Sequence, residues 1–112
     1  MKTRLLAPLV VCAVALPVIG GQVAATAAGG KTVTLKNIAF SPKSLTVSRN
    51  TTVTFAFRDD GTAHNVVSKG SKKFKAISVR SSGTQSRKFT SAGTYRYVCT
   101  LHPGMAGRIT VR

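Results

Sequence analysis

The sequence predicts an all-β domain, a Greek-key sandwich or barrel of about seven or eight short strands. Three observations predict it. From Lys31 onward, apolar residues recur with period two in short runs. Gly, Pro, Asn and Asp punctuate those runs as turn signals. No segment beyond the N-terminal block sustains an apolar period of 3.6 residues.

Thr32-Val33-Thr34-Leu35 alternates, as does Leu45-Thr46-Val47, and Thr52 to Phe57 places Val53, Phe55 and Phe57 on one face. Asp59-Asp60-Gly61 reads as a turn before Asn65-Val66-Val67. Lys69 to Lys75, with Gly70, Ser71, Lys72 and Lys73, reads as an exposed basic loop. Gln85 to Thr90 is the next strand, ending around Phe89. Ala92-Gly93-Thr94 turns into Tyr95-Arg96-Tyr97-Val98-Cys99, and Ile109-Thr110-Val111 closes the chain. There is no internal repeat.

The N-terminal block stands apart. Lys2 and Arg4 precede an uncharged, mostly apolar run from Leu5 to Ile19, and Ala25-Thr26-Ala27 fits a small-x-small cleavage site. Residues 1–27 are therefore expected to be a secretory signal peptide, leaving one domain at 28–112. The run is 15 residues long and holds Pro8 and Pro17, whereas crossing a bilayer takes about 20 residues. No membrane span is expected after cleavage. Cys12 would leave with the leader, and Val11 stands before it where a lipoprotein signal would have a small residue. Removing Lys2 and Arg4 from the formal +15 leaves +13 on 85 residues.

This charge balance excludes some functions. Only two carboxylates, the adjacent Asp59 and Asp60, face 17 Lys and Arg, and there is no Glu. Paired-carboxylate catalysis needs two acids facing one substrate from separate places. So basic a chain attracts polyanions without sequence preference. Export argues against specific nucleic-acid binding, and the Phe residues alternate as core rather than forming a stacking platform.

The remaining count points to a metal. Beyond the leader the chain holds His64, Cys99, His102 and Met105 as its only His, Cys and Met residues, and three of the four fall in Cys99-Thr100-Leu101-His102-Pro103-Gly104-Met105. A lone Cys in an exported chain cannot form an internal disulfide and needs another role. One thiolate, two imidazoles and one thioether make the donor set of a mononuclear blue-copper site, with the thioether axial and long. Zinc is the rival, but it prefers four strong donors, and a thioether is a poor fourth. A small domain without a disulfide also gains from a bound ion.

At these residues the sequence resembles the cupredoxins, the small type I copper proteins. Phe40-Ser41-Pro42 with Leu45-Thr46-Val47 is similar to their early strand pair, and Ala63-His64-Asn65-Val66 to their first ligand segment. Ala92 to Cys99, continuing through Met105 to Val111, is the most specific stretch. The short ligand loop is most similar to that of the amicyanins. The resemblance covers nearly all of the mature chain. It implies a β-sandwich, one copper held by His64, Cys99, His102 and Met105, and electron shuttling between larger redox proteins. It further implies that Asn65 helps tie the two ligand segments together and that His102 is the solvent-facing electron port. Two positions depart from the family. Asn50 stands where Gly is common, a turn Asn can make because it tolerates a left-handed backbone. Leu101 replaces a Pro and so adds a backbone N–H, which is expected to donate to the Cys99 sulfur and raise the reduction potential.

The reading that follows is an exported, monomeric one-electron Cu(I)/Cu(II) carrier rather than an enzyme, in the periplasm or outside the cell. Its charge would steer it to redox partners with acidic docking surfaces or to an anionic cell envelope. The alternative is a copper scavenger or delivery protein. Such proteins often carry Met-rich or His-rich tracts, which this chain lacks.

Overall fold

The computed structural model describes residues 31–112. The expected leader, Cys12 and the cleavage site lie outside the described residues. Within them the chain forms nine strands and no helix: β1 (Lys31–Leu35), β2 (Phe40–Ser41), β3 (Ser44–Val47), β4 (Thr51–Phe57), β5 (His64–Lys69), β6 (Ile77–Arg80), β7 (Gly83–Phe89), β8 (Gly93–Val98) and β9 (Ala106–Val111). They make two sheets, in the orders β2-β1-β4-β7 and β3-β9-β8-β5-β6. The pairs β1–β4 and β3–β9 are parallel, and the others are antiparallel.

The alternation in the sequence becomes the inner surface of the sandwich. Val33 and Leu35 of β1, Val53, Phe55 and Phe57 of β4, Val66 of β5, Tyr95 and Tyr97 of β8, and Ile109 and Val111 of β9 are all buried in one core. Successive side chains of a strand point to opposite faces, so each strand gives one set to this layer and the other to solvent. Tyr97 is the central piece. Its ring lies edge-on to Phe40 at 4.8 Å and to Phe55 at 5.6 Å, bridging the two sheets. Gly107, its register partner on β9, makes room for it: a Cβ there would lie 2.7 Å from Tyr97 Cε1. The Tyr97 hydroxyl is buried with no hydrogen-bond partner among the described residues, and burial pushes its pKa well above the usual phenol value.

Three features differ from the sequence reading. The two-residue β2 and the four-residue β6 bring the count to nine. β6 is an edge strand that pairs irregularly with β5 and buries only Ile77, while its Val79 is exposed. The segment Lys69–Lys75 is not wholly an exposed basic loop. Phe74 turns inward and packs against Phe55, Phe89 and Tyr97, because burying an aromatic ring is favourable while Lys73 and Lys75 keep their ammonium groups in water. Asn50 takes the left-handed conformation expected of it, at φ 69°, where its N–H donates to the Phe89 carbonyl at 2.7 Å.

Candidate metal centre

Two segments meet at one end of the sandwich. β8 ends at Val98 and β9 begins at Ala106, leaving Cys99 to Met105 as the connecting loop. The Cys99 N–H donates to the Met105 carbonyl at 3.0 Å and the Met105 N–H to the His102 carbonyl at 3.1 Å. Gly104, at φ 86°, supplies the left-handed step that closes the inner turn. β5 runs antiparallel to β8 with Val67 opposite Val98, so continuing that register brings Asn65 beside Thr100 and His64 beside the loop. Asn65 fastens the junction: its Nδ2 donates to Thr100 Oγ1 and its Oδ1 accepts the Thr100 N–H, both at 2.8 Å.

The loop and β5 bring three of the four expected donors together. Cys99 Sγ lies 3.7 Å from His64 Nδ1 and 3.6 Å from His102 Nδ1. One donor atom from each of the three residues falls within 4.8 Å of the other two. The two imidazole rings sit 4.8 Å apart, tilted by 58°. Separations of this size are what an N and an S donor, each about 2.0–2.3 Å from one ion, subtend at an angle of roughly 110–120°. The donor set therefore fits a metal ion. His64 is fully buried and Cys99 is 3% exposed, whereas His102 is only half-buried and reaches the surface. Met105 is buried at the end of the loop as part of the core. Leu101 projects outward and is 45% exposed.

A further residue enters that the sequence reading left as a turn. Asp59, between β4 and β5, places its Oδ2 2.8 Å from His64 Nε2. The same carboxylate accepts the N–H of Asn37 on Oδ1 and that of Ile38 on Oδ2, each at 3.0 Å. The Ile38 bond and then the His64 bond hold its pKa below the usual carboxylate value; burial opposes them, and the Asn37 bond adds a lesser push in their direction. Asn37 and Ile38 both have φ 54°, and Ile38 is a β-branched residue in a region such residues avoid. The carboxylate thus pins a strained turn on one side and His64, a candidate ligand, on the other. An acceptor at Nε2 fixes the proton there and leaves the Nδ1 lone pair bare toward Cys99. The available signal was scarcity: one of only two acids in the chain stands five residues before a candidate ligand.

Comparison with known proteins agrees with this geometry. The family model described as a cupredoxin-like domain matches residues 8–111. Halocyanin of Natronomonas pharaonis is 40% identical over 78 residues, covering 65% of this chain and 48% of that protein. Amicyanin-alpha of Methylorubrum extorquens is 32% identical over 88 residues, 75% of this chain and 73% of that protein. Among solved structures, the oxidized state of an amicyanin point mutant superposes with a TM-score of 0.67 at 30% identity, covering 75% of this chain and 83% of that one. A Cu-containing nitrite reductase of Thermus scotoductus gives 0.65 at 27% identity over 74% of this chain. The chain spans about half the length of the halocyanin and 22% of the reductase.

Proposed function

Because the chain belongs to the cupredoxin-like family, we propose that it is an exported blue-copper electron carrier, with His64, Cys99, His102 and Met105 as the ligands of its one copper. The observation that carries this reading is the convergence of two Nδ1 atoms on one buried thiol sulfur. Copper bound there would exchange one electron between Cu(I) and Cu(II), the soft sulfurs suiting one valence and the imidazoles both. The chain's own task is to hold the donors still. Asp59 fixes the His64 ring and its tautomer, Asn65 locks β5 to the loop, and the bonds between Cys99, His102 and Met105 fold the loop on itself. A set of donors braced in this way would move little between the two valences of the ion, which favours carrying electrons. His102, the least buried of the three clustered donors, is where a redox partner would make contact.

Nothing beside the donors is arranged for bond chemistry among the described residues. Asp59 is committed to three hydrogen bonds, and both histidines of the chain belong to the one cluster. Among the described residues no helix is long and apolar enough to cross a membrane.

Adding Cu(II) to the purified protein tests the proposal. An intense visible absorption from thiolate-to-copper charge transfer is expected, and Cys99→Ser should abolish it. A colourless complex with the unaltered protein would overturn the assignment.

Leu101 bears on the potential. We propose that its N–H stabilises the charge of the Cys99 thiolate in the reduced state. A hydrogen bond to a charged group contributes about 1.5–3 kcal/mol, and about 1.4 kcal/mol corresponds to roughly 59 mV for one electron. Because the bond also helps the oxidised state, only part of this value counts, and Leu101→Pro should lower the midpoint potential by up to roughly 60 mV in cyclic voltammetry. The side chain is 45% exposed and is not part of the buried core. An unchanged or raised potential would refute the role.

A further inference from the structure

The outer face of the five-stranded sheet carries a row of cations with no acid beside it. Strand register sets Lys69 of β5 opposite Arg96 of β8, Arg96 opposite Arg108 of β9, and Arg108 opposite Ser44 of β3. These strands are adjacent, so the four residues form one line running across the sheet. Neighbours in such a line are about 4.8 Å apart in the pairing direction. All four are exposed, and they line a groove of about 510 Å³ together with Lys43. Arg108 Nε donates to Ser44 Oγ at 3.2 Å, toward β3. Arg96 runs the other way, its Cδ 3.9 Å from where a Cβ on Gly70 would stand. The two guanidiniums thus extend toward opposite ends of the groove.

Like charges directly opposite one another destabilise a sheet. A carboxylate between them would remove the penalty, yet the one ion pair among the described residues is His64 with Asp59. The divergence of the two guanidiniums eases the repulsion but leaves the row with no acidic partner, which an anionic ligand would supply.

We propose that this groove is a docking surface for an acidic segment of a protein redox partner. The kind of partner rests on the electron-carrier reading, and the surface itself rests on the charges. Guanidinium groups fork onto carboxylates with two parallel hydrogen bonds, a geometry that selects carboxylates over point anions. The site is concave and so accepts protruding side chains, which a flat bilayer does not offer. It also lies on the hairpin that carries the donor loop. Arg96 is three residues before Cys99 and Arg108 three after Met105, about 10 Å along the strands at roughly 3.3 Å per residue. A partner held there would bring its own redox centre alongside His102.

The test uses a hexaglutamate peptide as the probe, titrated into the protein at low salt by calorimetry and by amide-resonance shifts. The triple variant Lys69→Gln, Arg96→Gln, Arg108→Gln should bind it at least about tenfold more weakly than the unaltered protein. Lys31→Gln, Lys36→Gln, Lys88→Gln, with the same change in net charge on or beside the opposite sheet, should lose less than about twofold, consistent with screened long-range attraction. Shifts should centre on β5, β8 and β9, and a thermal melt of each variant verifies folding. Equal losses in the two triples would overturn the proposal by reducing the groove to bulk charge. Tighter binding of phosphatidylglycerol vesicles or a DNA duplex through the same three residues would overturn the choice of partner. The titration needs no copper, so a protein that fails to turn blue would sink the carrier reading and leave this result to be judged separately.

Discussion

Alanine at position 107 is expected to lower the melting temperature of the domain by more than about 10 °C. A Cβ added at Gly107 would stand 2.7 Å from Tyr97 Cε1 and 2.8 Å from both Cζ and Oη, closer than such carbons approach in proteins. Relief would have to come from the Tyr97 ring, which is fully buried and held edge-on by Phe40, Phe55 and Phe74. Overpacking of a tight core costs about 1–3 kcal/mol. This contact belongs at the upper end, because the obstacle is a rigid ring with aromatic neighbours on several sides. Thermal unfolding of the metal-free protein reads the effect. Combining Gly107→Ala with Tyr97→Leu should recover part of the loss relative to the sum of the two single changes. A melting temperature within about 2 °C of the unaltered protein would show that the ring can step aside.

The second large effect falls on the metal. Asp59→Asn is expected to weaken Cu(II) binding roughly 10- to 100-fold, the usual scale for losing a partner that orients a ligand. The carboxylate accepts three hydrogen bonds, from two backbone N–H groups and His64 Nε2. An amide has one oxygen. If that oxygen replaces Oδ2, Ile38 and His64 keep their acceptor, but the amide NH2 then faces the Asn37 N–H, donor against donor. The left-handed turn at Asn37 and Ile38 loses part of its support, and His64 loses the negative charge that makes its ring a better donor to copper. A weaker donor favours the less charged Cu(I), so the reduction potential should rise as affinity for Cu(II) falls. Competition titration against a chelator measures the first effect and voltammetry the second. Unaltered affinity together with an unaltered potential would show that Asp59 serves the turn alone.

Much of this architecture was legible because its signals are local. The alternation of Val53, Phe55 and Phe57 identifies β4 as a strand by itself, and every buried position of β9 follows the same rule. Cys99, His102 and Met105 stood out because their residue types are scarce and close in sequence. What escaped depends on contacts distant along the chain. β6 carries a single buried residue and pairs through an irregular register, so its pattern is no stronger than that of a loop. Phe74 sits among lysines, and only the ring cluster it completes reveals that it faces inward. The role of Asp59 rests on a turn 21 and 22 residues upstream, and no propensity predicts the positive φ of the β-branched Ile38 within it.

The place of β9 in its sheet sets an order of assembly. This last strand is an interior one, with β3 parallel on one side and β8 antiparallel on the other. Until Val111 is available during synthesis, β3 has no neighbour and the underside of Tyr97 stands open to water. Contacts so distant in sequence form late and slowly. The nascent chain must therefore stay unfinished until β9 has been made, and the donor cluster takes its final shape only when that strand slides between its neighbours.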